Sequence, residues 1–301
     1  MKNNIEISVI APMHNEEGNA LQLYEEIKEA LDVYGKSYEI IFVNDFSSDG
    51  TLKILEKIRE RDGNNFHYCD LEFNVGENWA VYAGVSRAQG EVIVTIDGDI
   101  QNDPRFIPIL VDRINDGFKA VSGWREKRIG AVDRVMPSVV ANKLISLISG
   151  FSIHDTGCTL KAYRSDVIKN HYTPRGFNNR FSPVIYDIDP KDFTEVRVPD
   201  RVRIAGKSHY GLERIFIVMN DLLVIPFIRK RDTESLGGVR KKIIYFTIFL
   251  GLLLLTTTFA GRFWFSILLI LILLLLVSVI WNLGRFIDCR DKPNFVVKKF
   301  T

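Results

Sequence analysis

The stretch IDGDIQNDP, residues 96–104, sets three aspartates and a glutamine into nine residues, directly after the apolar run EVIVTI. Asp97, Asp99 and Gln101 alternate along the segment, so an extended backbone presents their oxygens on one side of a loop. Carboxylate and amide oxygens are the ligands a hard divalent cation takes, and such a cation offsets the charge of a diphosphate. The same residues also fit a plain solvated turn. Asp103 before Pro104 reads as a helix N-cap with proline at the first helical position. Two further polar clusters follow apolar runs: PMHNEE after IEISVIA, and NDFSSDG after YEIIFV.

Short β-rich runs alternating with amphipathic stretches must position these clusters. IEISVIA, YEIIFVN, residues 64–71 and EVIVTID read as four strands. Residues 17–34 read as a helix with Leu21, Leu23, Tyr24, Ile27, Ala30 and Leu31 as its apolar stripe. TLKILEKIRER and NVGENWAVYAGVSRAQG read as two more helices. Strand and helix in alternation predict an α/β fold, a mostly parallel sheet with helices on both faces. Ligands of such sheets sit beyond the carboxyl ends of the strands, where all three polar clusters fall. Further on, residues 131–149 look helical, TLKAYR is a short strand, and SDVIKN starts a helix at a serine cap. Residues 171–194 read as irregular, and 211–231 as a long apolar and basic helix suited to a membrane surface.

The 301 residues leave room for one or two domains, and a net charge of +2 does not point to nucleic acid. Cys69, Cys158 and Cys289 are scattered and form no CxxC pair, which argues against a zinc site or a disulfide framework. The N-terminal MKNNIEISVIAPMHNEE lacks a signal-peptide layout. From Ile243 to Leu283 the only charge is Arg262. One straight helix there would run roughly 60 Å, twice a bilayer core of roughly 30 Å, so two spans with a turn near Thr257–Phe263 are expected. Arg229, Lys230, Arg231, Arg240, Lys241 and Lys242 precede the first span, and Arg285, Arg290, Lys292, Lys298 and Lys299 follow the second. The positive-inside rule then places both ends in the cytoplasm.

ISVIAPMHNEEGN, EIIFVNDFSSDGT, EVIVTIDGDIQNDP, HDTGCTLKAYR and RIAGKSHYG occur in that order. Together they resemble the family-two glycosyltransferases with the GT-A (nucleotide-diphospho-sugar transferase) fold. More narrowly they resemble the polyprenyl-phosphate glycosyltransferases of the dolichyl-phosphate-mannose-synthase-like branch, over about residues 5–230. Each motif alone is weak, and their order gives the signal. The organisation this implies is a GT-A catalytic domain over 1–210, amphipathic basic juxtamembrane helices over 211–242, two transmembrane helices over 243–283 and a cytoplasmic basic tail over 284–301.

The resemblance implies that Asp99 and Gln101 contact Mg²⁺ or Mn²⁺, with Asp97 near both ribose and metal. It places Pro12, His14 and Glu16 in the first nucleotide-contacting loop and Asp45 at the nucleobase. Arg125 and Arg134 would hold the lipid phosphate and the donor diphosphate, since guanidinium forks suit phosphate oxygens. Arg128, Arg180, Arg203 and Ser208 join them on the acceptor side, and Asp155 matches an acid placed near the acceptor. Asn44, Phe46, Phe73 and Asn179 depart from the pattern: aspartate is common at the first, glycine at the second, arginine at the third and histidine at the fourth. His14 replaces a usual tyrosine.

A phosphate monoester with a second pKa of about 6 is largely dianionic at neutral pH and needs no strong base. The implied reaction is a single inverting displacement. A sugar leaves a nucleotide, with UDP preferred and GDP left open, for undecaprenyl or another polyprenyl phosphate. Asp155 either orients the acceptor or acts as a weak base. The implied setting is the inner membrane, multi-pass, with the catalytic domain cytoplasmic, membrane lipids as neighbours and a role in cell-envelope glycan modification. Two alternatives stand beside it: a transferase acting on a saccharide acceptor, and an inactive transferase-like membrane scaffold. Whether the chain forms a homo-oligomer is left open.

Overall fold

A computed structural model describes residues 5–125, 153–170, 186, 188–201, 233–259, 263–290 and 295–301. The chain divides into one unit of Met1–Tyr210 with Asn294–Thr301, and a second of Gly211–Pro293.

In the first unit the apolar runs form strands: β1 (Ile7–Met13), β2 (Tyr38–Asn44), β3 (Phe66–Leu71) and β4 (Val92–Thr95). Between them lie helices α1 (Ala20–Tyr34), α2 (Thr51–Arg61) and α3 (Glu77–Val85). A 3-10 turn (Pro104–Phe106) leads into α4 (Ile107–Asn115). Then come β5 (Ala120–Arg125), β6 (Lys161–Arg164), α5 (Ser165–Ile168), β7 (Phe193–Val198) and β8 (Val297–Phe300).

The strands make one eight-stranded sheet in the order β7-β5-β6-β4-β1-β2-β3-β8. Four neighbouring strands, β4-β1-β2-β3, run parallel, and β5 runs parallel to β7. β6 is antiparallel to β4 and β5, and β8 is antiparallel to β3, so the sheet is more mixed than the alternation of elements implies. Chain order runs outward from β1 to β3 and then jumps back to β4 on the other side of β1. That reversal opens a crevice beyond the carboxyl ends of β1 and β4.

The period of two along β1 sorts its side chains. Ile7, Val9, Ala11 and Met13 join a buried cluster with Leu23, Tyr24 and Ile27 of α1, Leu55 and Ile58 of α2, and Leu110 and Val111 of α4. Ile10 points to the opposite face, where α3 lies so close that a Cβ on Gly84 would meet Ile10 Cγ2 at 2.6 Å and Val43 Cγ2 at 3.1 Å. Helices therefore cover both faces of the sheet.

Several local expectations shift. Ala20, not Leu21, opens the buried stripe of α1, and Leu21 is exposed. Ser165 is the first helical residue of α5, with Arg164 at the cap position. Residues 193–198 form β7 where an irregular segment was expected to run through 194. The helices expected over 131–149 and 211–231 lie outside the described residues. Cys69 and Cys158 are buried free thiols.

The second unit holds α6 (Thr233–Phe259) and α7 (Phe263–Arg290); α6 ends and α7 begins within the range of the expected turn. Leu250 of α6 and Leu269, Val279 and Leu283 of α7 are buried, while Phe249, Leu252, Leu274 and Trp281 are exposed. Among the described residues one segment, Phe265–Gly284 in α7, is long and apolar enough to cross a membrane. The expected basic tail is in part a strand, since Val297–Phe300 pair with β3 in the first unit.

Candidate functional site

The crevice is built from loops that follow β1, β2 and β4. One tight joint in it is Gly98, between Asp97 and Asp99. A Cβ there would meet Met13 Sδ at 2.8 Å, the Pro12 carbonyl oxygen at 3.0 Å and Glu16 Cγ at 3.3 Å. Only glycine lets the DGD loop lie against the loop that carries His14 and Glu16. Asp99 is buried, and its Oδ1 accepts from the Gln101 N–H at 3.1 Å. Ile100 between them has a φ of 62°, an outlier for a β-branched residue, and its buried side chain anchors the turn in the core. Asp103 caps the following turn by accepting from Arg105 N at 3.1 Å, as expected, and also takes ion pairs from Arg105 and Arg201.

Charge in this loop is unbalanced. Burial pushes the Asp97 carboxyl well above the ordinary range, and the negative charges of Glu77 and Asp99 push it further. Hydrogen bonding by Thr159 and the charge of Arg125 pull the other way without prevailing. Glu77 opens α3, and its part here went unread in the sequence. The acid directly after Gly76 was the signal. Among the described residues no three His, Cys, Asp or Glu side chains gather closely enough to hold a metal ion by themselves. Asp97 and Asp99 thus form at most part of a ligand set.

Asp45 follows β2 and is buried. Its Oδ1 accepts from Val75 N at 2.6 Å and its Oδ2 from Gly76 N at 2.8 Å, so it pins the loop before α3. The Asp45 carbonyl accepts from His14 Nδ1 at 2.8 Å and from Asn74 Nδ2 at 3.3 Å, while His14 Nε2 faces Asn15 Nδ2 at 3.3 Å. This pattern assigns the proton to Nδ1. The departure at Asn44 has a local cause. Its Nδ2 donates to Asp70 Oδ1 at 2.7 Å, a bond an ionised aspartate has no proton to make. Asp49 and Thr51 serve the turn: Asp49 Oδ1 accepts from Thr51 N, and Thr51 Oγ1 accepts from Glu16 N at 2.8 Å.

A second cluster joins the ends of β5 and β7 to residues 153–160. Arg125 Nε donates to Asp155 Oδ2 at 2.7 Å, and Asp200 Oδ1 lies 3.7 Å from Arg125 Nη1. Asp155 Oδ1 also accepts from Gly157 N at 3.0 Å. Burial disfavours the Arg125 charge, but its hydrogen bonds to Asp155 and the charges of Asp155 and Asp200 more than restore it. Trp124 stacks on His154 with ring centroids 4.1 Å apart, and Arg197 sits over the Trp124 ring at 4.9 Å. Glu195 accepts from the backbone N–H of His154 at 3.0 Å and of Asp155 at 3.3 Å. Sequence reading missed Glu195, Arg197 and Asp200. The alternation in FTEVRV was the available signal. Cys158 faces Asn102 Oδ1 at 3.3 Å, and burial pushes its thiol up to about 12, so it stays an inert thiol.

Of the expected site residues, the structure brings Pro12, Glu16, Asp97, Asp99 and Gln101 together in one loop pair, His14 and Asp45 beside it, and Arg125 and Asp155 in one ion pair. Arg128, Arg134, Arg180, Arg203 and Ser208 lie outside the described residues.

The sequence model for glycosyl transferase family 2 matches residues 8–172. The dodecaprenyl-phosphate galacturonate synthase of Rhizobium johnstonii is 37% identical over 228 residues, 74% of this chain and 67% of that protein. The undecaprenyl-phosphate 4-deoxy-4-formamido-L-arabinose transferase of Pseudomonas aeruginosa is 30% identical over 306 residues, 97% of this chain and 89% of that protein. Among solved structures, glucosyl-3-phosphoglycerate synthase from Mycobacterium tuberculosis, in complex with Mn²⁺, UDP and glucosyl-3-phosphoglycerate, aligns with a TM-score of 0.59. It is 19% identical and covers 76% of this chain and 82% of that one, a likeness of fold.

Proposed function

We propose that this chain, which belongs to glycosyl transferase family 2, transfers a sugar from a nucleotide-sugar donor to a polyprenyl phosphate. The observation that carries the reading is the meeting of two clusters. The acidic DGD loop lies against the first loop across Gly98, and it also joins the second cluster: the Gln101 carbonyl accepts from Arg201 N, next to Asp200, at 3.1 Å, and Asn102 Nδ2 donates to Thr159 Oγ1 at 2.9 Å. Donor and acceptor anions brought to these two places sit side by side. The names of the two curated relatives support a polyprenyl phosphate as the acceptor.

The donor set suits a divalent cation, magnesium or manganese. Asp97 and Asp99 crowd negative charge into a confined loop, and hard oxygens are what such ions take. Asp97, Asp99 and Gln101 would hold the ion, with donor phosphates or water filling the remaining positions. When bound, it would offset the charge of the departing nucleoside diphosphate.

The chain's own residues do the rest. Asp45 keeps the Asn74–Gly76 loop in place beside His14, where the base of the donor would lie. Arg125, fixed by Asp155 and Asp200, supplies a directed positive charge for the acceptor phosphate. Asp155 is buried and engaged by Arg125 and Gly157 N, which favours orientation over proton removal. The dianionic phosphate, with a second pKa of about 6, attacks without a base, and one displacement inverts the anomeric carbon.

β8 belongs to the same unit as β1, although α6 and α7 lie between them in sequence. A chain that crosses a bilayer and returns to that sheet crosses it an even number of times. This supports α6 as a second span beside α7, an inner-membrane anchor and a cytoplasmic catalytic unit. The test is a membrane fraction incubated with undecaprenyl phosphate and a panel of UDP- and GDP-sugars, with the chloroform–methanol extract read by mass. A lipid-phosphate-linked monosaccharide is expected. Its absence with every donor, while nucleotide still binds, overturns the reading.

A further inference from the structure

Phe46, next to Asp45 in the second loop, has no role in the donor site as described. Its φ is 56°, in the left-handed region that glycine enters freely and a bulky side chain does not. Core packing does not account for the strain, because the side chain is 57% exposed. The surrounding bonds hold the turn in this conformation. Before it, Asp45 N donates to the Met13 carbonyl at 2.8 Å. After it, Ser47 N donates to Asn44 Oδ1 at 3.3 Å, Ser47 Oγ accepts from Asn15 N at 3.0 Å, and Ser48 N donates to Asn15 Oδ1 at 2.8 Å. An over-determined, strained backbone that holds an aromatic ring in solvent marks a place where that ring meets a ligand.

The neighbours indicate which part of a ligand. Asp45 offers acceptor oxygens, and His14 has its ring edge tied to Asp45 and Asn15. A planar heterocycle with an N–H needs such an acceptor at its edge and a flat apolar surface against its face. We propose that Phe46 is the stacking platform for the nucleobase of the donor, and thereby sets how tightly this chain holds its nucleotide. The proposal rests on the nucleotide-sugar reading above.

The test uses the full-length, detergent-purified protein with UDP, GDP and inorganic pyrophosphate as inhibitors, and compares wild type with Phe46→Gly and Phe46→Tyr. Phe46→Gly is expected to raise Tm, since glycine relieves the strained φ, and to weaken the preferred nucleoside diphosphate by about tenfold. The Ki of pyrophosphate, which has no base, should stay within twofold. Phe46→Tyr should restore nucleotide affinity. An unchanged nucleotide Ki in Phe46→Gly overturns the stacking role alone. An equal loss for pyrophosphate, or a change confined to the KM of the lipid acceptor, overturns it as well. A wild type that binds neither UDP nor GDP overturns the donor reading and this proposal with it.

Discussion

Arg125 and Asp155 form a buried ion pair, Nε to Oδ2 at 2.7 Å, between side chains only 12% and 3% exposed. Removing one partner leaves an uncompensated buried charge, which costs about 3–5 kcal/mol. Asp200, 3.7 Å from Arg125, covers part of that cost when Asp155 is lost. Asp155→Asn should therefore lower Tm less than Arg125→Gln does. Each should reduce kcat by roughly 100-fold, with the double variant no worse than the poorer single one, because the two act as a unit. Lipid-linked product formation and thermal melts of the purified protein measure both effects. Additive losses in kcat would show two independent groups.

Asp99→Ala should leave the melting curve nearly unchanged yet reduce divalent-dependent turnover on the order of 100-fold. It removes a carboxylate from a loop already overloaded with negative charge. Titration of Mn²⁺ in the presence of UDP, followed by calorimetry, should show the matching loss of metal affinity. Full activity with an unaltered metal requirement would remove Asp99 from the site.

Gly98→Ala forces a methyl against Met13 Sδ, the Pro12 carbonyl and Glu16 Cγ. The carbonyl is backbone and yields little, so the variant should lose about 1–3 kcal/mol of stability. The DGD loop should also move away from the first loop, raising donor KM while the KM for polyprenyl phosphate holds. Steady-state kinetics with each substrate varied in turn separates the two.

Asp103 gives a pH dependence whose sign is fixed. Burial raises its carboxyl, but hydrogen bonds from Arg105 and the charge of Arg201 bring it below the usual carboxylate range. A folded value below the unfolded one, about 3.9, means the stabilisation is complete above pH about 4 and is lost as pH falls through the lower folded value. Asp103→Asn should lower stability near neutrality and flatten the acid limb of the Tm–pH curve below pH about 4. An acid limb identical to wild type would show that Asp103 titrates alike in both states.

Much of this was legible in the sequence. The first four strands show as apolar runs because both faces of the sheet are covered by helices. The loops after β1, β2 and β4 show as polar clusters because nothing apolar can fill a crevice at strand ends. β6 was readable as a strand but its direction was not, since antiparallel pairing with β4 is a matter of register between segments about 70 positions apart. β8 was hidden because VKKF carries the lysines that suit an exposed edge and so resembles a charged tail. At the site, residue types and spacing singled out Asp97 and Asp99, while Asp45 was pointed to by the family resemblance. Glu195 and Asp200 escaped because they act on Asp155 and Arg125 only after β7 is laid beside β5. The strain at Phe46 and Ile100 escaped because a φ angle leaves no mark on composition.

β8 also sets a clock on biosynthesis. His67 of β3 meets Thr301 across 234 positions of chain, and both long helices are made in between. At about 5–20 residues per second, a ribosome needs roughly 10–50 s after completing β3 to deliver its last partner. Throughout that interval the edge of β3 stays open, and it closes only after α6 and α7 have left the ribosome. The sheet of the first unit is thus completed by a strand that is made after α6 and α7.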